Sequence, residues 1–450
     1  MTAFDPEATG EVPPPSAAGL ARSTAAMTVL TAASRATGFI RVIVVVAVLG
    51  NTFLGNVYQS ANTVPNILFE LIAAGILQAV LIPSLVRYLD KGDKAEAEHI
   101  AGSVLGFAFL ALAAAAAVGM ALSPLISRLL FSGTPRAVRS QQIHLGTIFL
   151  LIFLPQVAMY AAGLVATGVL NARNRFATPV IAPAINNLVV ISCYVAFGIM
   201  RHHQAPSLDL TVAQVVVLAG GTTFGVVAFS FLPVLSVMRS DFSLRPRLDR
   251  HHPEVRRIAK LGIWAAVFLA VEQVLLVVVL ILSNRLQGGV VAYQTAYTFF
   301  TLPHDMFALA VITALFPAIS RHVANDQSSA VARSIERGSQ FIALFALPAT
   351  IGLIALSPAL TRGVLFGKIS GGGAQDVARA LVGFAPGLLA YGLFLFLARV
   401  MYAQGDTRTP ALVNALVTVG GSIAMLIVFP LVSTKWKVPA LTLCHSAAYT

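Results

Sequence analysis

The chain has 450 residues, of which 57% are hydrophobic and only 11% charged, with a mean hydropathy of +0.82. No soluble globular domain of this length carries that composition, so the class is an all-α polytopic membrane protein. The formal net charge of +12 is spread over many short loops, which points to anionic lipid and the cytoplasm and away from nucleic acid as a partner.

Residues 1–22 mix Pro, Glu and Ala without apolar periodicity and read as a disordered cytoplasmic tail. No basic stretch opens them, which argues against a removable signal peptide. Apolar segments follow at 24–49, 58–88, 98–122, 141–171, 177–199, 212–238, 257–283, 290–320, 331–359, 375–404, 409–432 and from 438 onward. Each except the last meets the roughly 20 residues a bilayer requires, which predicts about twelve transmembrane helices. The last stops at Thr450 without a polar flank, and the expectation is a fragment of a longer chain. Cys193 and Cys444 lie far apart in apolar stretches, so neither a disulfide framework nor a thiolate metal site is indicated.

The first span contains Ser34-Arg35-Ala36-Thr37-Gly38-Phe39-Ile40-Arg41, two permanent charges with mainly apolar residues on either side. A charge at the bilayer centre costs roughly 2.5–3.5 kcal/mol on insertion scales, so such residues usually face a cavity or a partner. On a helix the two arginines stand roughly 9 Å apart along the axis and about 120° apart around it, a spacing that could grip one bulky anion from two heights. Gly38 between them permits a bend or a close helix approach. Snorkelling to an interface, or pairing with Glu70 or Glu272, is the other reading of these arginines.

The longest charged interruption, 239–256, carries Arg239, Arg245, Arg247, Arg250 and Arg256 and reads as a cytoplasmic connector between a first six-helix lobe, 23–238, and a second, 257–450. With the amino terminus inside, the loops assigned to the cytoplasm hold the larger share of Lys and Arg. An internal repeat supports the division. Tyr58-Gln59-Ser60-Ala61 recurs as Tyr293-Gln294-Thr295-Ala296, Pro83-Ser84-Leu85-Val86-Arg87 as Pro317-Ala318-Ile319-Ser320-Arg321, and Thr178-Pro179 as Thr409-Pro410, in the same order and at nearly constant offset. Six spans between equivalent points give parallel repeats, related by an axis along the membrane normal around a central cavity.

In the second half, Glu272-Gln273 interrupts an apolar span, and the carboxylate suits either proton or Na+ coupling or a salt bridge to an arginine. His304-Asp305 follows Pro303 and reads first as satisfying backbone freed by the proline, with a proton relay as the second reading. Asn414 and Thr418 share a helix face at i, i+4; interhelical hydrogen bonding is the plainer reading and a Na+ site the other.

Ser34-Arg35-x-x-Gly38-Phe39-x-Arg41, with Pro65-Asn66, Gly75, Pro83 and the Thr-Pro pairs, resembles the MviN/MurJ family of lipid II flippases within the multidrug/oligosaccharidyl-lipid/polysaccharide exporter superfamily. The resemblance runs from about residue 22 to the end. It implies two six-helix lobes, commonly followed by two further helices, and translocation of undecaprenyl-pyrophosphate-linked peptidoglycan precursor between leaflets. Arg35 and Arg41, with Ser34 and Gly38, fall on the substrate-binding motif. Elsewhere the chain departs from the family: Phe69-Glu70 stand where many members have two arginines, Asn56 where an acid is common, Ala74 where glutamate is common, and Thr298 near an expected arginine.

The leading function is therefore flipping of lipid II from the inner to the outer leaflet of the bacterial inner membrane, with membrane lipids and cell-wall synthesis proteins as candidate partners. An arginine fork suits a diphosphate because it engages oxygens bidentately and stays charged in low dielectric. An ion-coupled drug or organic-cation antiporter, and a flippase of another polyprenyl-linked polysaccharide, are the alternatives; a cation exporter would be expected to present carboxylates and aromatic rings in its cavity. No nucleotide-binding loop, metal-ligand spacing or catalytic constellation occurs, so the chain reads as no enzyme and needs no cofactor. Any energy coupling would come from membrane potential or a Na+ or H+ gradient.

Overall fold

The computed structural model describes residues 17–71, 81–201, 206–369, 371–406 and 408–450, with the side chains of 17–26, 258–268 and 272 outside the description. Helices α1 (Ala17–Leu49), α2 (Phe53–Phe69), α3 (Ile82–Asp90), α4 (Lys94–Ala121), α5 (Ser123–Leu130) and α6 (Arg136–Phe153) open the chain. They are followed by α7 (Gln156–Ala172), α8 (Ala177–Met200), α9 (Val212–Val215) and α10 (Gly221–Met238). After an irregular stretch come α11 (Pro253–Ser283), α12 (Gly289–Pro303), α13 (Leu309–Ala324), α14 (Ser328–Val364), α15 (Gly372–Phe384), α16 (Leu388–Ala403), α17 (Arg408–Leu431) and α18 (Lys437–Ala448). No strand occurs among the described residues.

Nine helical segments among the described residues are long and apolar enough to cross a membrane, and each coincides with a predicted span. The other three predicted spans fall on α2–α3, whose junction 72–80 lies outside the described residues, on α11, and on the short α18. Gly75 and Ala74 lie in that junction. Helix α1 begins at Ala17, within the stretch read as tail, because Ala17, Ala18, Leu20 and Ala21 are good helix formers. Residues 1–16 lie outside the description.

Large apolar side chains are exposed as well as buried: Leu344, Leu347 and Ile351 on α14 and Leu416 and Leu431 on α17 face outward, as a lipid solvent allows. Polar groups inside form local networks, of which one surrounds Tyr58. Tyr58 is fully buried with its ring edge-on to Phe149, Phe153 and Tyr194, and its hydroxyl lies 2.7 Å from both the Tyr194 hydroxyl and Thr222 Oγ1.

One end of the molecule is sealed by contacts between residues far apart in sequence. Asn56, completely buried, donates from Nδ2 to the Leu286 carbonyl at 2.7 Å and accepts at Oδ1 from the Val290 N–H at 3.1 Å. Asn51 Nδ2 donates to Asp376 at 2.9 Å, and Asn284 Nδ2 to Ser60 at 2.9 Å. Gly288, with φ +68, permits the close approach to Asn51: a Cβ there would lie 2.0 Å from Asn51 Oδ1.

At the other end the connector lies along the first turns of α4. The Arg247 N–H donates to the Gly102 carbonyl at 2.9 Å, and a Cβ on Gly106 would meet the Arg247 carbonyl at 1.9 Å. His99 accepts from Arg247 at Nδ1 (2.8 Å) and therefore donates from Nε2 to Asp249 (3.0 Å), while His252 reaches Glu96 at 2.5 Å. Asp241 pairs with Arg173, and with Lys94 at 3.2 Å; Glu254 holds Arg87 at 2.6 Å. The Arg173 and then the Lys94 hydrogen bonds bring the Asp241 carboxyl down to about 2.

Two outcomes follow from these contacts. Asn56→Leu leaves the buried Val290 N–H unpaired, roughly 1–3 kcal/mol, and takes one of two donors from the Leu286 carbonyl, which keeps the Gly289 N–H; it should lower the melting temperature of the purified protein, and an unchanged melt would mean the clasp is not made. Asp241 contributes to docking at pH values above the ordinary aspartate range, and that contribution is lost as pH falls toward about 2. Amide hydrogen exchange over 240–250 should accordingly rise as pH drops through that window after correction for intrinsic rates, and Asp241→Asn should show the faster exchange at neutral pH.

Candidate functional site

Helix α1 runs through both arginines without a break at Gly38. The glycine gives a close approach: a Cβ there would sit 3.5 Å from Asn187 Nδ2 on α8. Asn187 donates from Nδ2 to Thr37 Oγ1 at 3.2 Å and accepts at Oδ1 from Arg41 Nη1 at 3.5 Å. Thr37 in turn donates to the Ser34 carbonyl at 2.7 Å, so Ser34 enters the network through its backbone. The Arg41 side chain is thus supported from α8, through Asn187 and Tyr194.

Arg41 lines a cavity of about 320 Å³ between α1, α2, α7, α8 and α10, together with Asn62, Asn66, Glu70, Tyr160 and Asn186. Tyr160 donates to Asn66 Oδ1 at 3.4 Å, and Gln273 Nε2 on α11 donates to Glu70 Oε2 at 3.0 Å. The cavity therefore holds one fixed cation, one carboxyl and several amides, a set able to solvate an anion and to exchange a proton.

Arg35 does not line that cavity. Its Nη1 lies 3.6 Å from Asp305 Oδ2, with both side chains about half exposed. Asp305 stands in the π-turn His304–Ala308 that follows Pro303, where the proline supplies no N–H and the helix widens. His304 begins the turn, buried, with its ring 4.8 Å from that of Tyr391. In this conformation the two arginines reach different partners, as their angular separation around α1 dictates. An ion pair spread over half-exposed groups is weakly held, which leaves Arg35 available to a competing anion.

The remaining sequence candidates separate from this region. The Glu272 side chain lies outside the described residues, and the neighbouring Gln273 is the one seen to reach α2. Asn414 and Thr418 are both buried on one face of α17, the face on which Gly421 meets Leu275 of α11. Among the described residues no cluster of three or more metal-ligating side chains occurs. Sequence reading did not single out Asp305 as the partner of Arg35, nor Gln273 as that of Glu70; the only signal for the former was an acid next to a helix-interrupting proline.

Solved structures give the same architecture. The chain matches a lipid II flippase MurJ in an inward closed conformation with a TM-score of 0.76 over 94% of this chain and 84% of that one, at 20% identity. It matches an inward-facing multidrug resistance MATE family transporter with a TM-score of 0.76 over 92% of this chain and 91% of that one, at 11% identity. Among curated relatives, the probable lipid II flippase MurJ of Rhizobium tropici is 25% identical over 407 residues, 90% of this chain and 75% of that protein. The lipid II flippase MurJ of Burkholderia cenocepacia is 24% identical over 401 residues, 89% and 76% of the two chains. The model of the family described as lipid II flippase MurJ matches residues 45–450, beginning after the arginine pair and so independently of that motif, and the chain belongs to this family.

Proposed function

We propose that this protein is a flippase that carries undecaprenyl-pyrophosphate-linked peptidoglycan precursor from the inner to the outer leaflet by alternating access. The observation that carries the reading is the pair of arginines in α1, one lining a polar cavity and one half exposed, in a molecule sealed at its other end. With the amino terminus in the cytoplasm, the sealed end is the outer one and the arginines face an inward-open path. Family membership supports the substrate class, and two fixed positive charges favour a diphosphate over an organic cation. The likeness to a multidrug transporter concerns the fold.

The proposal includes two six-helix lobes and twelve spans in the bacterial inner membrane. The repeated motifs support it, because equivalent positions share their burial: Tyr58 with Tyr293, Ser60 with Thr295, Ala61 with Ala296 and Leu85 with Ile319 are all buried. Each repeated tyrosine also hydrogen-bonds through its hydroxyl, Tyr58 to Tyr194 and Tyr293 to His445 Nδ1 at 2.9 Å. Coupling to membrane potential or to a Na+ or H+ gradient belongs to the same reading, as do membrane lipids and cell-wall synthesis proteins as partners.

Charge-assisted hydrogen bonds contribute roughly 1.5–3 kcal/mol each, so removing one arginine should weaken capture by about one to two orders of magnitude. In cells depleted of the native protein, Arg35→Ala and Arg41→Ala should leave lipid II in the inner leaflet by leaflet-resolved detection, at near-normal membrane levels of the variants. Arg→Lys should be partly defective, because an ammonium cannot form the same fork. Normal translocation by both alanine variants would overturn the assignment.

A further inference from the structure

Glu70 stands at the end of α2, exposed on the cavity side, and takes one hydrogen bond from Gln273 on α11. Gln273 is buried, and its other amide atom, Oε1, has no hydrogen-bond partner. A buried carbonyl oxygen left unpaired in an apolar setting is costly, and the group nearest in chemistry is the carboxyl already bonded to the same amide. As a carboxylate Glu70 has no proton to offer. As an acid it has one: Oε1–H can donate to Gln273 Oε1 while Oε2 continues to accept from Gln273 Nε2, closing a two-bond acid–amide pair. Turning the amide over would set its oxygen against the carboxyl, which again calls for a proton between them.

We propose that Glu70 is a proton-binding site whose occupancy tightens the link between α2 and α11. The proton comes from water in the cavity and returns to it, with no other co-reactant. Among the described residues, the ionisable groups that share the cavity with Glu70 are Arg41 from α1 and Tyr160 from α7, Gln273 from α11 donates to it, and α4 packs its Ala108 and Leu112 cluster against the adjacent Leu68. An anion that engaged Arg41 would bring negative charge into the cavity that Glu70 also lines and so shift Glu70 toward proton uptake. The inference deepens the flippase reading and rests on it for that last step, since the anion would be the diphosphate of the carried lipid.

The test uses the full chain in lipid nanodiscs without substrate, so its failure is distinct from failure of the flippase reading. Infrared difference spectra taken as pH is lowered should show a carboxylic-acid C=O band that is lost in Glu70→Gln. In Gln273→Leu the band should move to higher frequency, because the acid loses its amide donor. Spin labels on α2 and α11 should report a distance that shortens on acidification in the native sequence and stays short at every pH in Glu70→Gln, whose amide makes both bonds permanently. A band indifferent to Gln273→Leu, or a distance that does not respond to pH, would reduce Glu70 to an ordinary solvated carboxyl and overturn the proposal.

Discussion

In an apolar surround a polar group left without a partner is costly, and the structure turns on where the long-range partners are taken from. Asn56 takes both of its from the backbone of the 286–290 turn, more than two hundred residues away in sequence. Asn51, Ser60 and Thr63 each bond across a similar distance in sequence to the side chains of Asp376, Asn284 and Gln294. These bonds close one end of the molecule mainly with amides and hydroxyls, Asp376 being the one acid among them. Contacts between neutral groups carry little ionic desolvation cost, so most of this set can be made and broken.

The opposite side is built from charge. Arg35 is matched by one half-exposed acid, and Arg41 by Asn187 at the limit of hydrogen-bonding distance and by Tyr194. Neither arrangement satisfies a guanidinium's five donors. A ligand with several anionic oxygens would complete both shells, whereas a cation would meet repulsion from them. The connector on the same side, strapped to α4 through His99, His252 and Asp241, joins the two parts of the chain without entering the cavity.

Much of this was legible in the sequence where the signal is local. Hydropathy located nine spans within a few residues, and the arginine pair stood out because charge inside an apolar run is rare. Pro303 marked the place where α12 gives way to a π-turn. What could not be read were partnerships across the chain: Arg35 with Asp305, Glu70 with Gln273, Asn56 with Leu286. Tertiary packing decides these, and a single sequence carries no trace of it. The expected common grip of the two arginines reflected helical rise without the consequence of the angle between them, which turns each toward a different neighbour.

Transport by alternating access requires the closed end to open. An ideal Cβ on Gly373 would lie 3.0 Å from the Asn51 Cβ, close to the roughly 3.5–4.5 Å of a disulfide. In a background lacking Cys193 and Cys444, Asn51→Cys with Gly373→Cys should cross-link under oxidation. Cross-linking should halt appearance of the lipid-linked precursor in the outer leaflet, and reduction should restore it. Continued translocation by the fully cross-linked protein would contradict opening at this end.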